Sequence, residues 1–184
     1  MRKTVIAFVC GLIVAGTAWS FQNVVKRSRY TDEVYGYTID APRLPGSGAN
    51  VEGRSVAFSG PSVDGFVSNV NVMVQAIKTT RNDHRALTLE QIKKLGAKLN
   101  SDRDLTVSGR DAMMIDFEGK LGSGVRELRF LILSVIDKDR VFLVTCTATP
   151  EAFPAALAEF NACIATFRLK DDVLKVSDAG NGRR

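Results

Sequence analysis

The architecture is set by residues 141–169, which begin Val141-Phe-Leu-Val-Thr-Cys-Thr-Ala-Thr-Pro-Glu-Ala-Phe153. Residues 141–148 are apolar or β-branched, as in a buried strand, and Pro150 suits the first turn of a helix because no partner is needed there for its missing N–H. Apolar side chains follow at intervals of four, three, four and three residues: Phe153, Leu157, Phe160, Ile164 and Phe167. The segment therefore predicts a strand, a turn and an amphipathic helix that packs back on the sheet.

Further strand patterns precede this segment. Residues 105–107 and 112–117 are predicted to form a hairpin across Gly109-Arg110, and residues 125–136 and 141–148 a second hairpin across a polar turn. Earlier strands are predicted at residues 35–39, 55–59 and 69–77. The segment 44–53 is predicted to be a loop because it contains Pro45, Gly46 and Gly48.

A second helix is predicted over residues 88–99. Thr88-Leu89-Glu90-Gln91 resembles a capping box, and leucine and isoleucine side chains then recur on one helical face up to Leu99. The element order is three strands, a helix, four strands and a helix. Short hairpins make most of the sheet antiparallel, so the predicted fold class is α+β, a mainly antiparallel sheet sandwiched with two main helices.

The N-terminus has the pattern of an export signal. Met1-Arg2-Lys3 carries positive charge, residues 4–25 carry none, and Ala18-Trp19-Ser20 offers small residues at the positions before a cleavage site. We expect a signal peptide over 1–20, cleaved after Ser20, and a periplasmic or extracellular protein. The uncharged run approaches the ~20 residues of a membrane span, so an uncleaved anchor in the inner membrane through residues 4–25 is the alternative.

Four segments follow from these patterns. Residues 1–20 are the signal peptide or anchor, residues 21–32 a polar and basic linker, residues 33–169 one α+β domain, and residues 170–184 a flexible tail. The tail is assigned because the apolar periodicity is lost there and the chain ends Gly-Asn-Gly-Arg-Arg.

The charge distribution argues against nucleic acid as a partner. The net charge is +5, from 25 basic and 20 acidic side chains, and the basic residues neither cluster nor alternate with aromatic ones. We therefore expect the partner to be a protein or another component of the cell envelope.

The sequence lacks a recognisable catalytic motif. His84 is the one histidine, and its position in Arg81-Asn82-Asp83-His84-Arg85 predicts a solvated polar turn rather than a general base or metal ligand. No Gly-x-Ser-x-Gly nucleophile elbow is present. The sequence accordingly predicts a protein that is not an enzyme and has no catalytic residue, metal or cofactor.

Two cysteines, Cys146 and Cys163, remain in the predicted mature chain. Cys163 lies well along the second helix, whereas Cys146 lies shortly before the turn that leads into it. Because strand and helix run antiparallel, their Cα atoms are expected to lie further apart than the ~6.8 Å limit for a disulfide. Buried free thiols are predicted, with a disulfide as the alternative.

Polar residues on the predicted strands are candidates for a ligand surface. They form a polar stripe on one strand and a group of charged residues on two neighbouring strands, namely Asn69, Asn71 and Gln75, and Asp116, Glu118, Arg126 and Arg129. Such residues serve more often as solvated or ion-paired positions, and the register that would pair them is not fixed by the sequence.

Several short motifs resemble the PsbP-like superfamily, especially its small exported bacterial members. They are Ile39-Asp40-Ala41-Pro42, Gly60-Pro61, Gly65-Phe66, Asn69-Val70-Asn71-Val72, Val144-Thr145-Cys146-Thr147-Ala148 and Thr166-Phe167-Arg168-Leu169. The resemblance spans about residues 35–169. It implies an antiparallel sheet between helices and a role in binding, assembly or envelope function rather than catalysis. The chain departs from it after Pro42, where Arg43-Leu44 stands in place of the frequent aromatic residue.

The sequence thus predicts an exported, non-enzymatic binding or assembly protein of the cell envelope. A membrane-anchored structural protein is one alternative, and a hydrolase or transferase that uses loop carboxylates is another.

Overall fold

The computed structural model describes residues 28–44, 48–52, 55–63, 65–120 and 126–170. The predicted signal peptide, most of the linker and the tail beyond Lys170 lie outside these residues. The elements in chain order are β1 Arg29–Asp32, β2 Tyr37–Asp40, β3 Gly48–Glu52, β4 Ser55–Val63, β5 Phe66–Ala76, α1 Arg81–Lys94, β6 Lys98–Val107, β7 Arg110–Gly119, β8 Leu128–Asp137, β9 Arg140–Ala148, α2 Phe153–Ile164 and β10 Arg168–Leu169.

The core of the molecule is a seven-stranded sheet in the order β3-β4-β5-β9-β8-β7-β6, in which all neighbours are antiparallel. A small antiparallel sheet, β1-β2-β10, packs on one of its faces together with α2. Helix α1 packs on the other face. The predicted α+β class, an antiparallel sheet with two main helices, is confirmed.

Each face of the large sheet has its own apolar cluster because side chains alternate along every strand. The α2 face includes Val72, Leu133 and Val144, packed against Phe160 of α2. The α1 face includes Met113, Ile115, Phe117, Phe130 and Ile132, packed against Ile92 of α1. Burial of these two clusters supplies the main force that holds the helices to the sheet.

Both predicted hairpins are present. The β6–β7 turn is Ser108-Gly109, and both residues have positive φ (53° and 69°), as a two-residue type I′ turn requires. Strands β8 and β9 pair from Arg129–Ala148 to Asp137–Arg140. Helix α2 begins at Phe153, later than Pro150, and it is Pro154 that occupies its first turn.

The prediction for the first helix was wrong at both ends. Helix α1 begins at Arg81, where the Thr80 hydroxyl accepts a hydrogen bond from the Asp83 backbone N–H (3.1 Å). Thr88 lies inside the helix and donates to the carbonyl of His84 (2.8 Å). Gly96 follows the helix with a φ of +66°, which ends it, so Leu99 belongs to β6.

Two segments predicted to lack structure contain strands. Residues 29–32 of the predicted linker form β1, whose Tyr30 ring packs against Phe58 (6.1 Å between ring centres). The predicted loop 44–53 contains β3, which pairs with β4. Both are short edge strands specified by hydrogen bonds to one neighbour, so neither has a clear apolar period. Among the described residues, no helix is long and apolar enough to cross a membrane.

Candidate binding groove

Three of the predicted site residues meet at the end of the sheet nearest the start of α2. Arg129 of β8 donates two hydrogen bonds to Asp116 of β7, from Nε to Oδ1 (3.0 Å) and from Nη2 to Oδ2 (2.7 Å). Its guanidinium also lies over the Phe153 ring, 4.4 Å from the ring centre. The Asn100 amide donates a further hydrogen bond to Asp116 (3.1 Å). Asp116 is thus held by three donor atoms from two side chains.

Glu118 lies beside this cluster and has its own cation. Lys98 of β6 donates to Glu118 Oε1 at 2.7 Å, and this hydrogen bond lowers the pKa of the Glu118 carboxyl. The hydrogen bond to Asp116 raises the pKa of Arg129. Both shifts favour the charged forms, so this cluster is an ion-paired network rather than a general acid and base.

Arg126 does not join the cluster. It is exposed, and its Nη2 lies 3.9 Å from the position that a Cβ would take at Gly65, so it lies near the turn between β4 and β5.

The polar stripe on β5 lies on the α1 face. Asn69 and Asn71 are half-buried and pair across the strands with Thr147 and Thr145 of β9, while Gln75 pairs with Val141. Asn69 Nδ2 donates to the Val67 carbonyl (3.0 Å). The structure brings these residues into one row but gives them no shared ligand geometry, so a ligand surface there stays a prediction.

His84 is buried beneath α1, and the prediction of a solvated turn was wrong because the helix begins before it. Its exposed fraction is 5%, and Nε2 lies 3.3 Å from the Oγ of Ser134, which is 2% exposed. Nδ1 is buried without a partner, which favours the tautomer in which Nε2–H donates to Ser134. Burial lowers the pKa of His84.

A histidine beside a serine is also the arrangement of a catalytic base and nucleophile. Here the pair lies in the interface between α1 and β8, and neither residue lines either of the two cavities described below. Both side chains are buried, and their hydrogen bond joins the helix to the sheet.

Cys146 and Cys163 are both buried, and neither forms a disulfide. Cys163 Sγ donates to the Asp40 carbonyl (3.0 Å), and burial raises the pKa of the Cys146 thiol. A raised pKa keeps the thiol protonated and unreactive. Among the described residues, no group of three or more histidine, cysteine, aspartate or glutamate side chains could hold a metal ion.

A cavity lies between α2 and the β6–β7 edge of the sheet. Its volume is about 550 Å³. Strand β6 supplies one wall, α2 the other, and β7 and β8 the floor; the lining residues are Arg103, Leu105, Thr106, Val107, Ser108, Met114, Leu133, Asn161, Ile164, Ala165 and Arg168. We call this cavity the α2 groove. Its floor residues Met114 and Leu133 are buried and apolar.

Among the described residues, no carboxylate pairs with either of the two arginines of the α2 groove, Arg103 and Arg168. Arg103 Nη2 contacts the Met114 sulfur (3.1 Å), and Arg168 Nη1 donates to the Ala165 and Phe167 carbonyls at the end of α2 (2.8 and 2.7 Å). No acidic residue lines the α2 groove. A sulfur atom and backbone carbonyls leave both positive charges unneutralised.

Other arginines of the described chain are paired differently. Carboxylates bind the guanidinium groups of Arg29, Arg81, Arg85, Arg110, Arg129 and Arg140. A second cavity, of about 200 Å³, also has two arginines in its wall, but Asp137 lies between them, 3.2 Å from Arg110 and 3.4 Å from Arg140. The α2 groove therefore combines an apolar floor with cations that lack counter-charges.

Comparison with known proteins identifies the fold. No protein-family model and no curated protein matches this chain. The solution structure of cyanobacterial PsbP (CyanoP) from Synechocystis matches with a TM-score of 0.58 and 16% identity, over 83% of this chain and 98% of that one. The fold is PsbP-like.

Two further PsbP-like structures match. LpqN of Mycobacterium tuberculosis, described as involved in cell envelope biogenesis, gives a TM-score of 0.57 at 14% identity, over 80% of this chain and 92% of that one. PA94 of Pseudomonas aeruginosa, a protein of unknown function, gives 0.54 at 20% identity, over 76% and 94%. At these identities the likeness shows the fold alone, and it confirms the resemblance seen in the sequence motifs.

Within this PsbP-like body, sequence reasoning found the ion-paired cluster but missed the α2 groove. One signal was present: Arg103 stands between Asp102 and Asp104, so strand alternation places it on the opposite face from two acidic residues. Arg168 gave no comparable signal, because its place beside β6 depends on how α2 ends and packs.

Proposed function

We propose that this chain is an exported, non-enzymatic protein of the cell envelope that binds its partner through the α2 groove. The sequence of residues 1–20, with its positive start, apolar run and small residues before position 21, supports export. The PsbP-like fold, shared with a protein described as involved in envelope biogenesis, is compatible with this role.

The observation that carries the proposal is the contrast between the groove and the reactive side chains. The histidine and both thiols are buried, and Asp116 and Glu118 are ion-paired. The α2 groove, by contrast, offers an accessible apolar surface and two arginines without counter-charges. This distribution favours binding over a carboxylate-based hydrolase.

The first experiment measures where the protein is and where its mature chain begins. We expect it in the periplasmic or secreted fraction, with Phe21 as the first residue by intact-mass and N-terminal peptide mass spectrometry. An intact Met1 with membrane retention would support the anchored alternative, and a full-length cytoplasmic protein would overturn the proposal of export.

The second experiment tests the groove as the binding surface. Tagged wild-type protein and the Arg103→Gln/Arg168→Gln variant are used for affinity capture from envelope fractions, followed by analysis of bound proteins and small molecules. We expect components that the wild-type protein retains and the variant loses, whereas the Arg29→Gln/Arg43→Gln variant, with the same change in net charge, retains them. Identical recovery with all three proteins would refute the role of the groove.

A further inference from the structure

We propose that the α2 groove binds a small amphiphile that has one alkyl chain and one anionic group. This inference rests on the proposed function, because it names the class of ligand that the same groove takes. Three features of the groove carry it: its size, its apolar surface and the placement of its charges.

The size and floor of the groove fit the alkyl part of such a ligand. A volume of about 550 Å³ lies within the range of roughly 300–1,000 Å³ typical of small-molecule sites. Met114 and Leu133 form the floor, and Leu105, Val107 and Ile164 extend the apolar surface onto the two walls. An alkyl chain placed along this surface would leave water and bury apolar area on both sides.

The charges of the groove fit the anionic group. Arg103 projects from β6, and Arg168 follows α2, so cations from two different elements border the same cavity. A guanidinium has five N–H donors. The contacts of Arg103 with the Met114 sulfur and of Arg168 with two carbonyls leave most of these donors for a ligand. Carboxylate and phosphate oxygens are the acceptors that match this planar group best.

The same charges argue against other ligands. A cation would meet two like charges, with no acidic residue in the lining to offset them. A neutral polar ligand, such as a sugar without an acid group, would leave both guanidinium charges unneutralised and the apolar floor covered by polar groups. The combination of acid and alkyl chain uses both parts of the surface.

The test uses sodium dodecanoate, kept below its micelle concentration and titrated into the purified mature chain by isothermal titration calorimetry. We expect saturable binding at one site, weakened by 0.5 M NaCl because charged contacts are screened. Dodecanol, which has the chain without the charge, and acetate, which has the charge without the chain, should each bind much more weakly.

Variants locate the site. In Arg103→Gln/Arg168→Gln we expect the affinity for dodecanoate to fall about tenfold or more, since two charge-assisted contacts are lost. The control Arg29→Gln/Arg43→Gln has the same net charge and should bind as the wild type does. Asn161→Asp places a carboxylate on the helix wall at an exposed position, which should not affect folding, and it should also weaken binding.

The outcomes separate this inference from the proposed function. Equal affinity for dodecanoate in the groove and control variants, or equal binding of dodecanol, overturns the ligand class. Binding that appears only after residues 171–184, which begin Asp171-Asp172, are deleted would mean that the chain's own tail is the occupant, and this also overturns it. Specific dodecanoate binding by a protein found in the cytoplasm would support the ligand class and refute only export.

Discussion

Strand β6 borders two helices on opposite faces of the sheet, and the two borders differ in charge. On the α1 face, Asp102 and Asp104 accept hydrogen bonds from Arg85. Arg81 lies beside the same strand pair, with Nε 3.5 Å from Asp104 Oδ1 and Nη1 3.3 Å from Asp111 Oδ1. On the α2 face, Arg103 meets a sulfur atom and no carboxylate. At residues 102–104, the described part of β6 thus has ion pairs on its α1 face and an arginine without a carboxylate partner on its α2 face.

The comparison teaches that these ion pairs do not by themselves hold a helix in place. Both helices pack on apolar clusters, although only α1 is joined to β6 by arginine–aspartate pairs. Partly exposed pairs contribute about 0–1 kcal/mol each. The charges on the two faces of β6 can therefore differ at little cost in stability. Arginines on the α2 face need no carboxylate partner for the fold to be stable.

The largest expected effect comes from removing a buried aromatic side chain of α2. Phe160 is fully buried beneath α2, and Phe160→Ala should lower the free energy of unfolding by about 3–5 kcal/mol, through lost burial and the cavity left behind. Guanidinium chloride denaturation measures this difference. Asn161→Ala, the next and exposed residue, is the control and should change stability by less than about 0.5 kcal/mol. Equal losses in the two variants would mean that α2 does not hold the groove wall by packing.

A second effect concerns the Arg129–Asp116 pair, which is largely covered on the α2 face. The side chains of Arg129 and Asp116 are 28% and 12% exposed. Arg129→Ala removes both hydrogen bonds and the contact with Phe153, and leaves Asp116 with Asn100 alone, so we expect a loss of about 2 kcal/mol. Chemical denaturation measures it.

A double-mutant cycle checks the cause of this loss. If the uncompensated carboxylate is responsible, Asp116→Ala should restore part of the stability when it is added to Arg129→Ala. A strictly additive cycle would mean that the pair contributes nothing beyond the packing of the Arg129 side chain on Phe153.

The parts of the fold that the sequence predicted are those with local patterns. The stripe from Phe153 to Ile164 and the turn at Gly109 rest on spacing within one or two elements, and the structure contains both. The start of α1 was predicted wrongly because its actual cap, formed by Thr80 and Asp83, lies in a stretch without apolar periodicity. Thr88 and Gln91, further along the chain, have the sequence pattern of a cap but lie inside the helix. Because the predicted helix started too late, the buried His84 was predicted to lie in a surface turn.

The candidate site divides in the same way. Arg129 lies opposite Glu118 on β7 and reaches Asp116 diagonally, and alternation along β7 and β8 made a pair of this kind foreseeable without its register. The α2 groove joins Arg103, Met114 and Arg168 from three elements that are distant in the chain. Their meeting depends on the angle of α2 over the sheet, which is a property of side-chain packing and leaves no short-range pattern.

A third effect is a pH dependence of the free energy of unfolding that comes from the α1 face. His84 is the chain's one histidine, and burial under α1 lowers its pKa from the ordinary value of 6.5. Below pH 6.5 the unfolded chain therefore binds more of this proton than the folded chain does. The free energy of unfolding should be constant in this respect above pH 7 and fall as the pH drops below 6.5, by at most about 1.4 kcal/mol per pH unit.

Denaturation at pH 7.0, 6.0 and 5.2 measures this slope. His84→Gln should remove the slope whatever its stability at pH 7, and Ser134→Ala, which keeps the imidazole, should retain it. A wild-type stability that does not change over this range would mean that the imidazole is protonated equally in both states and is not desolvated by α1.

The smallest expected effect compares the two borders of β6 directly. Arg85→Gln removes the pairs with Asp102 and Asp104 and should lower the free energy of unfolding by about 0.5–1 kcal/mol at low salt, and by less in 1 M NaCl because the charges are screened. Arg103→Gln has no carboxylate to lose, so its stability should stay within about 0.5 kcal/mol of the wild type at either salt concentration. Urea denaturation at two salt concentrations measures both. Each variant removes one positive charge beside β6, Arg85 from α1 and Arg103 from the strand itself. A salt-dependent loss in Arg103→Gln equal to that in Arg85→Gln would therefore show that a counter-charge reaches Arg103 in solution. The proposed site for an anionic ligand would then be covered by the protein's own acidic group.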